Sequence, residues 1–173
     1  FGLTVIAFIG SVFSPYYALA RRRAHAGAAP ATNHNAVNVA LYGASAARWS
    51  MTERGAAQLQ RTASSLQIGP SALHWEGDSL IIDIDEISVP WPARVRGRIR
   101  VHPERIVRHP VALASTGGHV WWPIAPVARV EVEFEQPGLR WSGAGYLDSN
   151  RGEAPLEHAF HRWDWSRAHL PDG

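Results

Sequence analysis

The sequence contains no cysteine and no lysine. The absence of thiols excludes disulfides, thiolate zinc sites and iron–sulfur clusters, and is compatible with the cytoplasm. The absence of lysine leaves arginine to supply all 17 basic residues against 15 acidic ones, a formal net charge of +2. Acids are interleaved with the arginines, so the basic stripe expected of a nucleic-acid binder is lacking. One basic run stands out, Arg21-Arg22-Arg23, which suits either a solvated loop or contact with anionic lipid headgroups. Long apolar runs are also scarce. Phe1 to Ala20 carries no charge and has the length of a membrane span, but Gly2, Gly10, Ser11, Ser14, Pro15, Tyr16 and Tyr17 dilute and interrupt it. It reads as a buried strand, Leu3–Ile9, followed by a Ser-Pro-Tyr-Tyr turn. A signal peptide would carry a basic segment ahead of the apolar run, and this stretch has none.

What is present is apolar and aromatic. Hydrophobic residues make up 46% of the chain and charged residues 18%, a balance that supports a packed core rather than disorder. A length of 173 residues fits a single domain over 1–173. Phe1 lies within a strand pattern, and Leu170-Pro171-Asp172-Gly173 ends without a closing element, so the chain is expected to be a fragment, incomplete at both ends. Eight tryptophans suit a Trp-rich β core, or a site handling flat or long apolar surfaces, because an indole offers a large contact area at small rotamer cost.

Residues 21–36 read as an Ala- and Arg-rich loop. Val37–Tyr42 reads as a strand closed by Gly43, and 48–52 as another. Residues 53–64 form the most helix-like stretch. Beyond residue 66 the β signal dominates. Leu73-His74-Trp75 and Leu80–Asp85 flank the hairpin turn Glu76-Gly77-Asp78. Arginines at 94, 96, 98 and 100 alternate with Val95, Gly97, Ile99 and Val101, and Val130–Glu135 alternates likewise, the pattern of strands with one wet and one buried face. Segments 139–147 and 160–165 complete the series. Strands recurring about every ten residues, with turn chemistry between them, predict an all-β antiparallel sandwich or barrel.

Three constellations could carry chemistry. Asp83 and Asp85 share one face of a strand and are followed by Glu86; alternation with Ile82 and Ile84 makes a solvent face the simpler reading of the aspartates. His158 and His161 have the spacing of a helical metal pair, but no further ligand lies at a usual spacing, so no metal is expected. The third combines Gly117-Gly118-His119-Val120-Trp121-Trp122-Pro123 with Trp141-Ser142-Gly143-Ala144-Gly145-Tyr146-Leu147-Asp148. Strand alternation turns His119 and Trp121 to one side of their segment, and Tyr146 and Asp148 to one side of theirs. Gly143 and Gly145 would thin the second strand and leave room for a ligand. An acid, an imidazole, a phenol and an indole on a shared face suit acid catalysis on an apolar substrate. On the residues alone, the simpler reading is a buried aspartate satisfied by the histidine and tyrosine inside a β core.

Several stretches are similar to the carotenoid 1,2-hydratases of phototrophic bacteria: IAFIGSVFSPYY (6–17), HNAVNVALYG (34–43), RWSMTERG (48–55), IGPSALHWEGDSLIIDIDE (68–86), VRGRIRVHPE (95–104), WWPIAPVARVEVEFEQPGLRWSGAGYLDSNRGEAPLE (121–157) and FHRWDWSRA (160–168). The resemblance covers most of the chain and is weakest over 21–33 and 105–118. It implies a lipocalin-like β fold and no cofactor. The implied reaction is addition of water to the terminal C1=C2 double bond of acyclic carotenoids such as neurosporene and lycopene, giving 1-hydroxy carotenoids. It places the active site on His119, Trp121, Tyr146 and Asp148, with Asp148 as proton donor. The implied partners are the carotenoid and water, with peripheral contact to the membrane that holds the carotenoid. Protonation at C2 leaves a tertiary cation at C1 that water captures. The donor must be a neutral carboxylic acid, a state that apolar surroundings favour. Aromatic faces can stabilise the cation. His119 would orient Asp148 or hold the attacking water. A non-catalytic lipocalin-like carrier of a polyene or lipid needs the same aromatic cavity without the neutral acid, and is the main competing reading.

Overall fold

The computed structural model describes residues 1–24, 29–43, 47–113 and 117–167, without the side chain of Glu157. Its strands are β1 (Gly2–Ile9), β2 (Asn35–Tyr42), β3 (Arg48–Met51), β4 (Leu59–Arg61), β5 (Ser65–Ile68), β6 (Ser71–Glu76), β7 (Ser79–Ile87), β8 (Arg94–Pro103), β9 (Val111–Ala112), β10 (His119–Gln136) and β11 (Leu139–Gly152). Two short helices, α1 (Pro15–Arg23) and α2 (Leu156–Ala159), accompany them. The strands form one sheet in the order β1-β2-β3 and a larger one in the order β11-β10-β8-β7-β6-β5-β4, with β9 added beside β10. The all-β class expected from the alternating segments holds. No ladder among the described residues joins the ends of the larger sheet into a closed barrel.

The described residues group into two compact units, Phe1–Pro103 with Ala128–Gly145, and Glu104–Val127 with the chain from Tyr146 onward. The first unit is built on antiparallel pairing. The ladder from β7 to β8 sets Asp83 opposite Arg98 and Ile82 opposite Ile99, so a charged face and an apolar face alternate in register. Asp85 accepts two hydrogen bonds from Arg94, at 2.5 and 2.6 Å, and Asp83 accepts one from Arg98 at 2.6 Å. The paired aspartates therefore belong to a solvent-side ion-pair ladder. The opposite faces bury Val37, Val39, Ile68, Ile84, Val95, Ile99 and Val132. Burial of each such side chain contributes about 1.5–3 kcal/mol. Between β6 and β7 the turn is closed by Gly77, whose φ of +57° is one that a side chain would strain.

Alternation sends Glu86 inward, where it is 2% exposed. It meets Arg54 through two hydrogen bonds, at 3.1 and 2.7 Å, and accepts a third from the Ser71 hydroxyl at 2.7 Å. A buried charge is tolerable only when paired in this way.

Several local expectations are corrected. Ser-Pro-Tyr-Tyr opens α1 rather than making a simple turn: the Ser14 hydroxyl accepts from the Tyr17 N–H at 2.9 Å, and Pro15 occupies the first helical turn. The helix extends through Arg23, into the segment read as a loop. The Ala-rich 53–64 stretch holds only a 3-10 turn, Ala56–Gln58, before β4, because Leu59, Gln60 and Arg61 pair with β5. Residues 160–165 form no strand; they follow α2 as irregular chain. No helix among the described residues is long and apolar enough to cross a membrane.

Candidate functional site

The second unit carries all four residues singled out from the sequence, on the first half of β10 and the last part of β11. The segment 104–113 braces β10. Val107 N–H donates to the Ile124 carbonyl at 2.9 Å, the Trp122 indole donates to the Val107 carbonyl at 2.6 Å, and β9 pairs with Val120 and Trp121. Trp122 is thereby turned to one side of β10, which leaves its neighbours His119 and Trp121 for the other. Beyond β11, the Glu153 N–H donates to the Gly118 carbonyl at 2.9 Å and ties the strand end to the start of β10.

Three of the four residues meet at one atom. Trp121 Nε1–H donates to Asp148 Oδ2 at 2.9 Å, and the Tyr146 hydroxyl donates to the same oxygen at 3.2 Å. Asn150 Nδ2 points to it from 3.5 Å. Among the described residues no hydrogen bond reaches Asp148 Oδ1. Burial, the largest cause, holds the Tyr146 phenol above its ordinary value of 10.0. Tyr146 is thus a stable O–H donor through neutral pH. Asp148 is half-buried.

His119 makes no hydrogen bond to this cluster among the described residues. It is 4% exposed, packs edge-on against Phe160 with ring centroids 5.1 Å apart, and lies so close to Gly152 that a Cβ there would come within 2.6 Å of its Nδ1. Its Nε2 is buried and has no hydrogen-bond partner among the described residues. Of the two roles open to it, orienting Asp148 is not the one this geometry displays.

Residues 160–167 supply contacts that sequence reasoning missed. Phe160 stacks edge-on with Trp163 at 5.3 Å; Trp165 sits 5.7 Å from the Tyr146 ring, and the Arg167 guanidinium 5.1 Å from it. The Tyr146 ring is therefore already in contact with both an indole and a cation. Asn150 was missed as well, although the alternation Tyr146-x-Asp148-x-Asn150 places it on the same face. Gly145 proves to serve strand packing rather than a ligand: a Cβ would lie 2.3 Å from Val130 Cγ1. Gly143 has open space around it. His158, on α2, and His161 are both exposed, and among the described residues no three His, Cys, Asp or Glu side chains group as metal ligands.

Residues 5–173 match the family described as carotenoid hydratase CrtC. A Thiocapsa roseopersicina protein named acyclic carotenoid 1,2-hydratase is 59% identical over 172 residues, which are 99% of this chain and 42% of that protein. Proteins of the same name from Rubrivivax gelatinosus and Cereibacter sphaeroides are 53% and 44% identical, over 99% and 98% of the chain and 42% and 58% of their own lengths. The chain thus spans about half the length of these curated relatives. No solved structure matches it.

Proposed function

The chain belongs to the carotenoid hydratase CrtC family, and we propose that it carries the acid group of an enzyme that adds water to the terminal C1=C2 bond of acyclic carotenoids. Neurosporene, lycopene and their derivatives are the substrates in this reading, and 1-hydroxy carotenoids the products. The observation that carries it is the convergence of Trp121 and Tyr146 on a single oxygen of Asp148, 2.9 and 3.2 Å away. A neutral carboxylic acid has one carbonyl oxygen that accepts and one hydroxyl that donates. With the donors gathered on Oδ2, Oδ1 is left to bear the proton.

Asp148 Oδ1–H transfers its proton to C2, and the C1=C2 π electrons form the new C–H bond. C1 becomes a tertiary cation. The carboxylate left behind keeps its hydrogen bonds from Trp121 and Tyr146, which strengthen as negative charge develops on the acceptor. Water attacks C1, loses a proton, and that proton restores the acid. The net change is H at C2 and OH at C1, with the catalyst regenerated. Since Tyr146 is in contact with Trp165 and Arg167, the indole of Trp121 is the better π surface for the cation. His119, with its buried Nε2, holds the attacking water while the proton that water loses returns to Asp148. The scheme uses no cofactor, and the enzyme works at the surface of the membrane that stores its substrate.

Incubating the full-length protein with lycopene in detergent tests this reading. A 1-hydroxy product that takes its oxygen from labelled water is expected, and activity should survive dialysis against a chelator. Lycopene bound and returned unchanged would favour a carrier, and loss on chelation restored by zinc would refute cofactor independence.

A further inference from the structure

The first 52 residues contain no aspartate or glutamate, while arginine occurs at 21, 22, 23 and 48. Side-chain charge in this stretch is therefore of one sign, and three of its four arginines sit together at the end of α1. The helix α1 ends in Arg21-Arg22-Arg23, with no acid in its first turn. Basic residues at a helix C-terminus also complement the helix dipole, which alone would explain their position. The dipole does not explain what lies beside them. Phe13 is 62% exposed, Tyr16 69% and Leu19 43%, and Val12 is exposed with them. Tyr16 and Leu19 are three apart, on one helix face that continues to Arg23. Val12 and Phe13 stand in the turn just ahead of Ser14, the residue that fixes the helix start. The other side of the helix is spoken for: Tyr17 stacks on His34 at 4.7 Å, and the Arg21 guanidinium lies 5.0 Å from the Tyr17 ring.

We propose that α1 and the turn before it form a docking surface for an anionic lipid bilayer. Phe13, Tyr16 and Leu19 enter the boundary between headgroups and acyl chains, and Arg22 and Arg23 meet lipid phosphates. Exposed aromatic and aliphatic side chains beside a basic cluster are the combination that interfacial helices use. Neither half is strong alone, since a helix of nine residues buries little apolar area and two arginines contribute about fivefold each to partitioning onto an acidic membrane. Together they provide two signals. A binding surface here would bring a water-insoluble polyene within reach without a spanning helix, but the proposal does not rest on the hydratase reading, because vesicle binding is measured without substrate.

The test is co-sedimentation of the full-length protein with vesicles of phosphatidylcholine alone, or mixed with phosphatidylglycerol, at low and high salt. Binding to the mixed vesicles that weakens with salt is expected, with little binding to phosphatidylcholine. The double variant Arg22→Glu, Arg23→Glu should bind at least about 25-fold more weakly. Tyr16→Ser with Leu19→Ser should also weaken binding, at both salt concentrations. Tyr16→Ser with Leu19→Ser should melt like the parent, since neither side chain is buried, and the arginine double variant should melt only slightly lower, by the lost complement to the helix dipole. Absence of vesicle binding by the parent protein would overturn the proposal, as it would if the rest of the full-length chain covers this face. Unchanged binding in both variants would overturn it too. So would a dimer, seen in sedimentation velocity, that either variant dissolves while lipid binding stays absent.

Discussion

Tyr146→Phe isolates one hydrogen bond of the candidate site. The substitution keeps the ring, and with it the contacts to Trp165 and Arg167, and removes only the hydroxyl that donates to Asp148 Oδ2 at 3.2 Å. A hydrogen bond to a charged group contributes about 1.5–3 kcal/mol. The bond is long for an O–H donor, and Trp121 still serves the same oxygen at 2.9 Å, so the low end applies. Proton transfer leaves a carboxylate, so the bond is stronger after the step than before it. The loss therefore falls on kcat, by about tenfold at 1.36 kcal/mol per decade, with KM little changed. The assay is initial rate of 1-hydroxy product from lycopene, separated chromatographically, over a range of substrate. A wild-type kcat in Tyr146→Phe would refute the reasoning. So would a change confined to KM, or a loss as complete as that from removing the carboxyl itself.

The same variant has a signature in stability. Tyr146 is held above its ordinary value of 10.0 by burial, so the protonated phenol favours folding; that contribution is complete below pH 10 and is lost as pH rises through the raised value. Urea unfolding midpoints should fall less steeply above pH 10 in Tyr146→Phe than in the parent. Glu86→Ala takes the carboxylate from the largely buried Arg54 side chain and leaves it only the Thr52 carbonyl, and should cost about 3 kcal/mol, the low end for a broken buried pair, in urea unfolding. Arg54→Met with Glu86→Leu should recover most of it, and a single variant as stable as the parent would contradict the buried-pair reading. Gly152→Ala forces a methyl against the His119 ring, 2.6 Å from Nδ1, and should lower product formation about 10–100-fold through misplacement. Gly143→Ala, with open space around it, should leave the rate unchanged.

The strands were legible where one face is wet. The arginines of β8 alternate with valine and isoleucine, and the pairing with β7 puts Asp83 and Asp85 against that arginine ladder. Helix α1 was not legible, because Ser-Pro serves equally as a turn signal and as a cap with proline in the first turn; the capping bond from Tyr17 decides between them. The Ala-rich 53–64 stretch was misread because local propensity yielded to pairing with β5. Glu86 was visible as the residue turned opposite to Asp85, but its partner Arg54 lies 32 positions away, beyond any periodicity. In the candidate site, spacing brought out His119, Trp121, Tyr146 and Asp148, and three of these converge on one oxygen. The contacts from Phe160, Trp163 and Trp165 were hidden by reading 160–165 as a strand. Without a ladder, aromatic residues in irregular chain carry no period to follow.

The claim at the centre of this account is that the Asp148 carboxyl delivers a proton to the alkene. Asparagine keeps the shape and the acceptor oxygen but has no acidic proton, so hydration of lycopene by the Asp148→Asn full-length protein measures the claim directly. No 1-hydroxy product is predicted, with a melting temperature close to that of the parent. Product at a rate near the parent's from the folded variant would contradict it.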